Sequence, residues 1–165
     1  MSEKKESVVL YWDASAVLSA LLKDEYSKDA QKWAKQSGHH FLSHLSYSEV
    51  MAVLSRIRRE KAMPAPLADA AGDNLENGPW RRLNIVPSWS LIKNLSQKWS
   101  LRGADLWHLS AAKSLRDQFP ELQLLTYDAR LKAAAQGEEM DSGSMAAWAH
   151  RQGVIRPQSS YPKPP

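Results

Sequence analysis

Four acidic residues stand where carboxylates commonly act on a ligand. Asp13 follows five apolar residues, 8–12, that are typical of a buried strand, and helical spacing begins directly after it. Asp128 repeats this arrangement after the apolar run 122–126. In open α/β sheets, ligands bind outside the carboxyl ends of the strands. We therefore expect Asp13 and Asp128 to lie at one ligand-binding edge of a sheet.

Two further acids fall in the first turns of predicted helices. Glu49 lies beside the apolar stripe of a helix that is predicted to begin at Ser46, and Asp105 opens a predicted helix over residues 104–115. Each acid also has an ordinary structural explanation. Ser46 and Glu49 match the S-x-x-E capping box, and Asp13 is a suitable N-cap residue.

Alternating strands and helices predict an α/β sandwich with a largely parallel sheet. The strands are expected at residues 8–12, 39–43, 83–86 and 122–126, with helices between them. We interpret His39 and His40, adjacent in the second strand, as surface residues. Helices in this architecture begin near the carboxyl edge of the sheet, so the four acids are expected to converge there.

Four carboxylates on one edge predict a metal site. Without a cation they would repel one another and raise each other's pKa values. Hard divalent cations with oxygen ligands remove that conflict, with Mg²⁺ the first candidate and Mn²⁺ the second. Such a site can activate water and stabilise charge that develops on a phosphodiester.

Composition sets broader limits. The chain has 165 residues, no cysteine, 43% hydrophobic residues and a net charge of +4, which is compatible with one globular domain and a nucleic-acid partner. Disulfides and thiolate metal sites are excluded. The N-terminal apolar run is too short for a signal peptide or a transmembrane helix, so we expect a soluble, cytoplasmic protein without a membrane partner.

Basic residues near the acids are candidates for a phosphate-binding rim. For any one of them, a solvated helix face is an equally good interpretation. The candidates are Arg56, Arg58, Arg59, Lys98 and Arg102.

The order and spacing of these motifs resemble the PIN domain, in particular the VapC-type toxins of bacterial toxin–antitoxin pairs. The matching pieces are Asp13-Ala14-Ser15-Ala16, Ser48-Glu49, residues 104–112 and Thr126-Tyr127-Asp128. The resemblance implies a three-layer α/β/α sandwich and a metal-dependent endoribonuclease that acts on RNA. It also implies a homodimer and a cognate antitoxin partner.

Carried over to this chain, the resemblance assigns residue roles. The catalytic, metal-binding acids would be Asp13, Glu49, Asp105 and Asp128, while Ser15 and Thr126 would orient carboxylates. Relatives often carry a further Asp or Asn after the last acid, where this chain has Ala129, Arg130 and Leu131. The number of metal ions, one or two, therefore stays open.

Other classes match less well. A haloacid-dehalogenase-type phosphatase needs a second Asp where this chain has Ser15, and no convincing acid–lysine set of a receiver domain is present. An RNA-processing nuclease without an antitoxin and a non-catalytic binding module of the same fold stay open.

The domain prediction places a PIN-like nuclease domain over residues 1–140 and a C-terminal extension over 141–165. Within the extension, residues 144–152 are expected to form a short helix, and the proline-rich segment 156–165 is expected to be irregular.

Overall fold

A computed structural model describes residues 7–153 of the chain. The strands in it are β1 (Val8–Trp12), β2 (Gly38–Ser43), β3 (Trp80–Leu83) and β4 (Gln123–Leu125). The helices are α1 (Ala14–Leu21), α2 (Ser27–Ala34), α3 (His44–Arg59), α4 (Ala65–Asn77), α5 (Trp89–Lys98), α6 (Gly103–Leu115), α7 (Ala129–Gly137) and α8 (Met145–Arg151).

The four strands form one parallel sheet in the order β3-β2-β1-β4. Strand β1 is central and pairs with β2 on one side and β4 on the other. Because all the strands run in the same direction, their carboxyl ends lie at one edge. The predicted parallel sheet is thus confirmed, and Asp13 and Asp128 follow two neighbouring strands at that edge.

Alternate side chains of β1 enter two separate cores. Val9 and Tyr11 pack on one face of the sheet, against residues of α5, α6 and α7. Val8, Leu10 and Trp12 pack on the other face, against residues of α1, α2, α3 and α4. All five side chains are buried, as expected for a strand covered on both faces. This arrangement confirms the three-layer α/β/α sandwich.

The predicted position of the third strand is wrong. The strand covers Trp80–Leu83, whereas residues 84–88 are irregular and Val86 is 81% exposed. The sequence Leu-Asn-Ile-Val has the stronger intrinsic strand preference, but pairing with β2 decides the position. Arg81 and Arg82 are accommodated because β3 is an edge strand with exposed positions.

The predicted start of α3 is also wrong. The helix begins at His44, and its N-cap is Ser43, whose hydroxyl accepts a hydrogen bond from the Ser46 amide. Glu49 therefore lies in the second turn and is not part of a capping box at Ser46. The ordinary structural explanation for this acid is removed, and its contacts must be sought elsewhere.

The C-terminal extension is attached to the sandwich by α8. Trp148 of α8 contacts Trp33 of α2, and the Met145 amide donates to Asp29 Oδ1 at 2.8 Å. The predicted irregular segment at 156–165 lies outside the described residues. Across residues 7–153, no helix has both the length and the apolar character needed to cross a bilayer.

His40 is buried, so its interpretation as a surface residue is wrong. It is 2% exposed, accepts a hydrogen bond from Trp12 Nε1 through Nδ1, and donates from Nε2 to the Gln36 carbonyl. Burial lowers the pKa of His40, because the charged imidazolium is poorly solvated there. The neutral ring holds β1, β2 and the end of α2 together.

We predict that His40 makes the fold less stable as the pH falls below about 6.5, the pKa of a histidine in an unfolded chain. In that range the unfolded chain takes up a proton that the native His40 resists, so the free energy of unfolding decreases with decreasing pH. Urea denaturation between pH 7.5 and 5.5 measures this slope. His40→Gln should have a smaller slope than the wild type, and equal slopes would contradict the prediction.

Candidate active site

Asp13 is a buried carboxylate at the carboxyl end of the central strand. Its Oδ1 accepts hydrogen bonds from Ser15 Oγ at 2.7 Å and from the Ala16 amide at 2.9 Å, and its Oδ2 accepts one from Thr126 Oγ1 at 2.7 Å. Burial raises the pKa of Asp13, and these three donors oppose that rise by stabilising the ionised form. Asp13 is thus both the N-cap of α1 and the best-anchored acid of the site.

The same two hydroxyl groups connect Asp13 to the second strand-end acid. Thr126 Oγ1 accepts a hydrogen bond from the Asp128 amide at 3.1 Å, and Ser15 Oγ accepts one from the Tyr127 amide at 2.9 Å. Asp128 is the N-cap of α7 and accepts two backbone amide hydrogen bonds through Oδ1. Ser15 and Thr126 therefore lie where the sequence predicted carboxylate-orienting residues.

The negative charges of two other acids of the site act on the carboxyl group of Asp105. Its pKa is raised, first by partial burial, then by the negative charge of Asp128, with a further contribution from Glu49. His108 and Arg102 act in the opposite direction. Asp13 and Glu49 in turn both raise the pKa of Tyr11, although burial is the main cause there. The structure therefore brings the four acids into one electrostatic neighbourhood at the carboxyl edge.

Glu49 is held by a residue to which the sequence analysis assigned no role. His108 Nε2 lies 2.7 Å from Glu49 Oε2, and His108 Nδ1 lies 2.8 Å from the Tyr11 hydroxyl. His108 is one helical turn after Asp105 on α6, so the sequence places the two residues on the same side of that helix. Its link to Glu49, which is 59 residues away, has no local sequence signal.

The donor set was compared with the needs of a divalent cation. All four residues offer carboxylate oxygens, which Mg²⁺ and Mn²⁺ prefer, and the mutual repulsion at Asp105 is the kind that a bound cation relieves. Within residues 7–153, however, no group of three or more acidic, histidine or cysteine side chains is arranged so that it could hold a metal ion. The chemistry of the donors fits such an ion, and binding would require side-chain adjustment.

In the part of the chain that the structure describes, two of the five residues of the predicted basic rim are already in ion pairs with acids, and three are not. Arg58 is paired with Asp69 at 2.5 Å, and Lys98 is 2.7 Å from the buried Glu138. Burial works to raise the pKa of Glu138, but Lys113, Lys98 and Trp99 lower it to about 2, so Lys98 faces a firmly ionised partner. Arg56, Arg59 and Arg102 are exposed, and in residues 7–153 they have no carboxylate partner. These three are the better candidates for phosphate contacts.

We predict that Thr126→Val destabilises the protein by about 1–3 kcal/mol at pH 7, because an ionised, buried carboxylate loses one of its donors. The loss raises the native pKa of Asp13 further, so the destabilisation should shrink as the pH falls and Asp13 becomes protonated. Thr126→Ser keeps the hydroxyl group and serves as the matched control. Urea denaturation at several pH values measures both variants, and a pH-independent cost for Thr126→Val would refute the link to Asp13.

The chain was compared with known families and structures. The family model of the PIN domain matches residues 10–137, which is most of the chain. No curated protein sequence matches this chain. The crystal structure of PAE2754 from Pyrobaculum aerophilum is similar, with a TM-score of 0.56 and 15% identity over 92% of this chain and 99% of that one. The toxin VapC20 of Mycobacterium tuberculosis, which cleaves the sarcin–ricin loop, has a TM-score of 0.50 and 15% identity over 76% of this chain and 94% of its own. Because the family model matches well over half of the chain, including all four acids, this chain belongs to the PIN domain family.

Proposed function

We propose that the protein is a metal-dependent endoribonuclease that hydrolyses RNA phosphodiester bonds. Members of the PIN family are generally nucleases, and the chain carries at each of the four motif positions the acid that the resemblance assigns to the metal site. The observation that carries the proposal is the placement of the acids: Asp13 and Asp128 follow the neighbouring parallel strands β1 and β4, and Asp105 lies in the first turn of α6. Carboxylates repel one another when they are ionised, so their placement at one edge of the sheet is expected of a site that binds a cation.

In this proposal, Asp13, Glu49, Asp105 and Asp128 hold Mg²⁺ or Mn²⁺. When bound, the cation supplies an activated water molecule and stabilises the charge that develops on the phosphate. Ser15 and Thr126 favour the ionised form of the Asp13 carboxylate and fix its orientation through their hydroxyl hydrogen bonds. Asp128 is oriented by the amides at the start of α7 in the same way.

RNA would be held by exposed arginines on or next to the helices that carry Glu49 and Asp105. Arg56 and Arg59 follow Glu49 on α3 by seven and ten residues, which corresponds to about 10 and 15 Å along the helix axis. Arg102 precedes α6 and already acts electrostatically on Asp105. Positive charges at these distances suit the phosphates that flank a scissile bond.

We predict that the purified protein cleaves RNA in Mg²⁺ or Mn²⁺ and that excess chelator abolishes the cleavage. Asp105→Asn should reduce the rate at least about 100-fold, because it removes one negative ligand from the cation site. Asp117→Asn is the matched control, since this exposed acid lies beyond the far end of α6. Gel analysis of labelled single-stranded and hairpin RNAs measures the rates. Full activity of the wild type in chelator, or of Asp105→Asn in Mg²⁺, would overturn the proposal.

We further propose that the protein is the toxin of a toxin–antitoxin pair. The support is the VapC-like combination of motifs and the similarity in fold to VapC20. A homodimer and a cognate antitoxin belong to this proposal. Leu67 at the start of α4 and Trp89 at the start of α5 are 60% and 90% exposed, and they provide apolar surface for such contacts. The alternatives are a PIN nuclease of RNA processing that has no antitoxin and a non-catalytic module.

We predict that expression of the protein alone arrests the growth of a bacterial host, whereas Asp105→Asn does not. The reason is that uncontrolled RNA cleavage depletes an essential RNA only when the acid site is complete. Colony counts after induction measure the effect, with Asp117→Asn as the matched control. RNA cleavage in vitro without growth arrest would favour the RNA-processing alternative, and growth arrest by both variants would exclude nuclease activity as the cause.

A further inference from the structure

Glu49 is the acid whose position depends most on a distant partner. Its side chain is 35% exposed, and it projects from the second turn of α3 without a capping role. A glutamate has three side-chain torsions, so a half-exposed one samples several rotamers unless a contact restricts it. The contact present here is the 2.7 Å approach of His108 Nε2 to Oε2.

His108 is a rigid partner for this carboxylate. The imidazole is 2% exposed, and both of its nitrogens are engaged, Nε2 by Glu49 and Nδ1 by the Tyr11 hydroxyl. The Tyr11 hydroxyl is itself 2.8 Å from Ser43 Oγ, at the end of β2. The ring is therefore fixed from behind by two strands of the sheet, and a flip of its plane would break both contacts.

The direction of the hydrogen bonds follows from the chemistry of the groups. An ionised Glu49 has no hydrogen to give, so His108 Nε2 is the donor. In the neutral ring, Nδ1 then accepts from Tyr11, whose pKa is raised by burial so that its hydroxyl keeps its proton. The chain Tyr11, His108, Glu49 ends on Oε2 and leaves Oε1 without a hydrogen bond within residues 7–153.

We propose that His108, held by Tyr11, is a positioning residue that fixes Glu49 with Oε1 free to join the other acids at a cation. The inference rests on the proposed function, because it assumes that the acids bind a divalent metal. Carboxylates that ligate a metal are commonly fixed by hydrogen bonds from neighbouring residues, and loss of such a partner typically weakens metal binding by about 10- to 100-fold. Since His108 follows Asp105 by three residues, one helix carries an acid of the site and also orients another.

The test measures Mn²⁺ binding to the full-length protein by isothermal titration calorimetry, without RNA. His108→Leu removes the donor and should weaken Mn²⁺ binding at least about 10-fold. His108→Gln keeps an N–H donor at a similar reach and should retain affinity within about 3-fold of the wild type. Tyr11→Phe leaves the ring without its rear support and should weaken binding in the same direction by a smaller factor.

His40 offers a matched control for loss of stability. It is also 2% exposed and also uses both ring nitrogens, but its partners are Trp12 and the Gln36 carbonyl, and it contacts none of the four acids. His40→Leu should lower the melting temperature as His108→Leu does, yet leave the Mn²⁺ affinity within about 2-fold of the wild type. If His108 had only a structural role, the Mn²⁺ affinity would fall in proportion to the melting temperature in all these variants, including His40→Leu.

The outcomes separate the inference from the proposed function. Unchanged Mn²⁺ affinity in His108→Leu, with normal binding by the wild type, overturns the inference and leaves the nuclease proposal intact. A wild type that neither binds Mn²⁺ nor cleaves RNA overturns both. If His108→Leu does not fold, the comparison moves to His108→Gln and Tyr11→Phe: retained affinity in the first and weaker binding in the second support the inference, and unchanged affinity in Tyr11→Phe overturns it.

Discussion

A buried carboxyl group at the end of the central strand constrains this structure. An ionised carboxylate inside a protein is unfavourable unless hydrogen-bond donors surround it. The three donors of Asp13 come from the first turn of α1 and from the residue after β4. Both segments must therefore meet at the end of β1, which requires β4 to lie beside β1 in parallel register. The order of the strands and the position of the candidate site are consequences of the same requirement.

The acids also show how charge is distributed over a chain with a net charge of +4. Several basic side chains are neutralised locally, as in the pairs Arg58–Asp69 and Arg82–Glu76 and the two lysines at Glu138. Within residues 7–153 the four acids form no ion pair with a lysine or arginine, although His108 contacts Glu49 and the charge of Arg102 works to lower the pKa of Asp105. Like charges held together destabilise a fold, and such arrangements are typical of sites that bind a ligand.

Local sequence patterns predicted the features that depend on a few neighbouring residues, such as strand ends and helix caps. The sequence of apolar strand, acid and helix placed Asp13 and Asp128 correctly at strand ends, because burial and capping act over a few residues. The third strand was predicted three residues late, since pairing with β2 outweighed the intrinsic preference of residues 83–86. The capping box that was considered as an alternative explanation for Glu49 is absent, because Ser43 and not Ser46 is the N-cap of α3, although the two serines are equally good caps in isolation. The His108–Glu49 and Lys98–Glu138 contacts were beyond prediction, because each joins residues at least 40 positions apart.

The position of β4 in the chain has a consequence for synthesis. The hydrogen bond from Thr126 to Asp13 joins residues that are 113 positions apart, whereas only the two short helices α1 and α2 separate β1 from β2. A chain that emerges from the ribosome N-terminus first can pair β1 with β2 early, but the acid edge is incomplete until residue 128 has left the exit tunnel. Nascent chains and fragments that end before β4 thus lack both that neighbouring strand of β1 and the Thr126 hydroxyl that donates to Asp13. Any chemistry of this edge begins only after translation of nearly the whole domain.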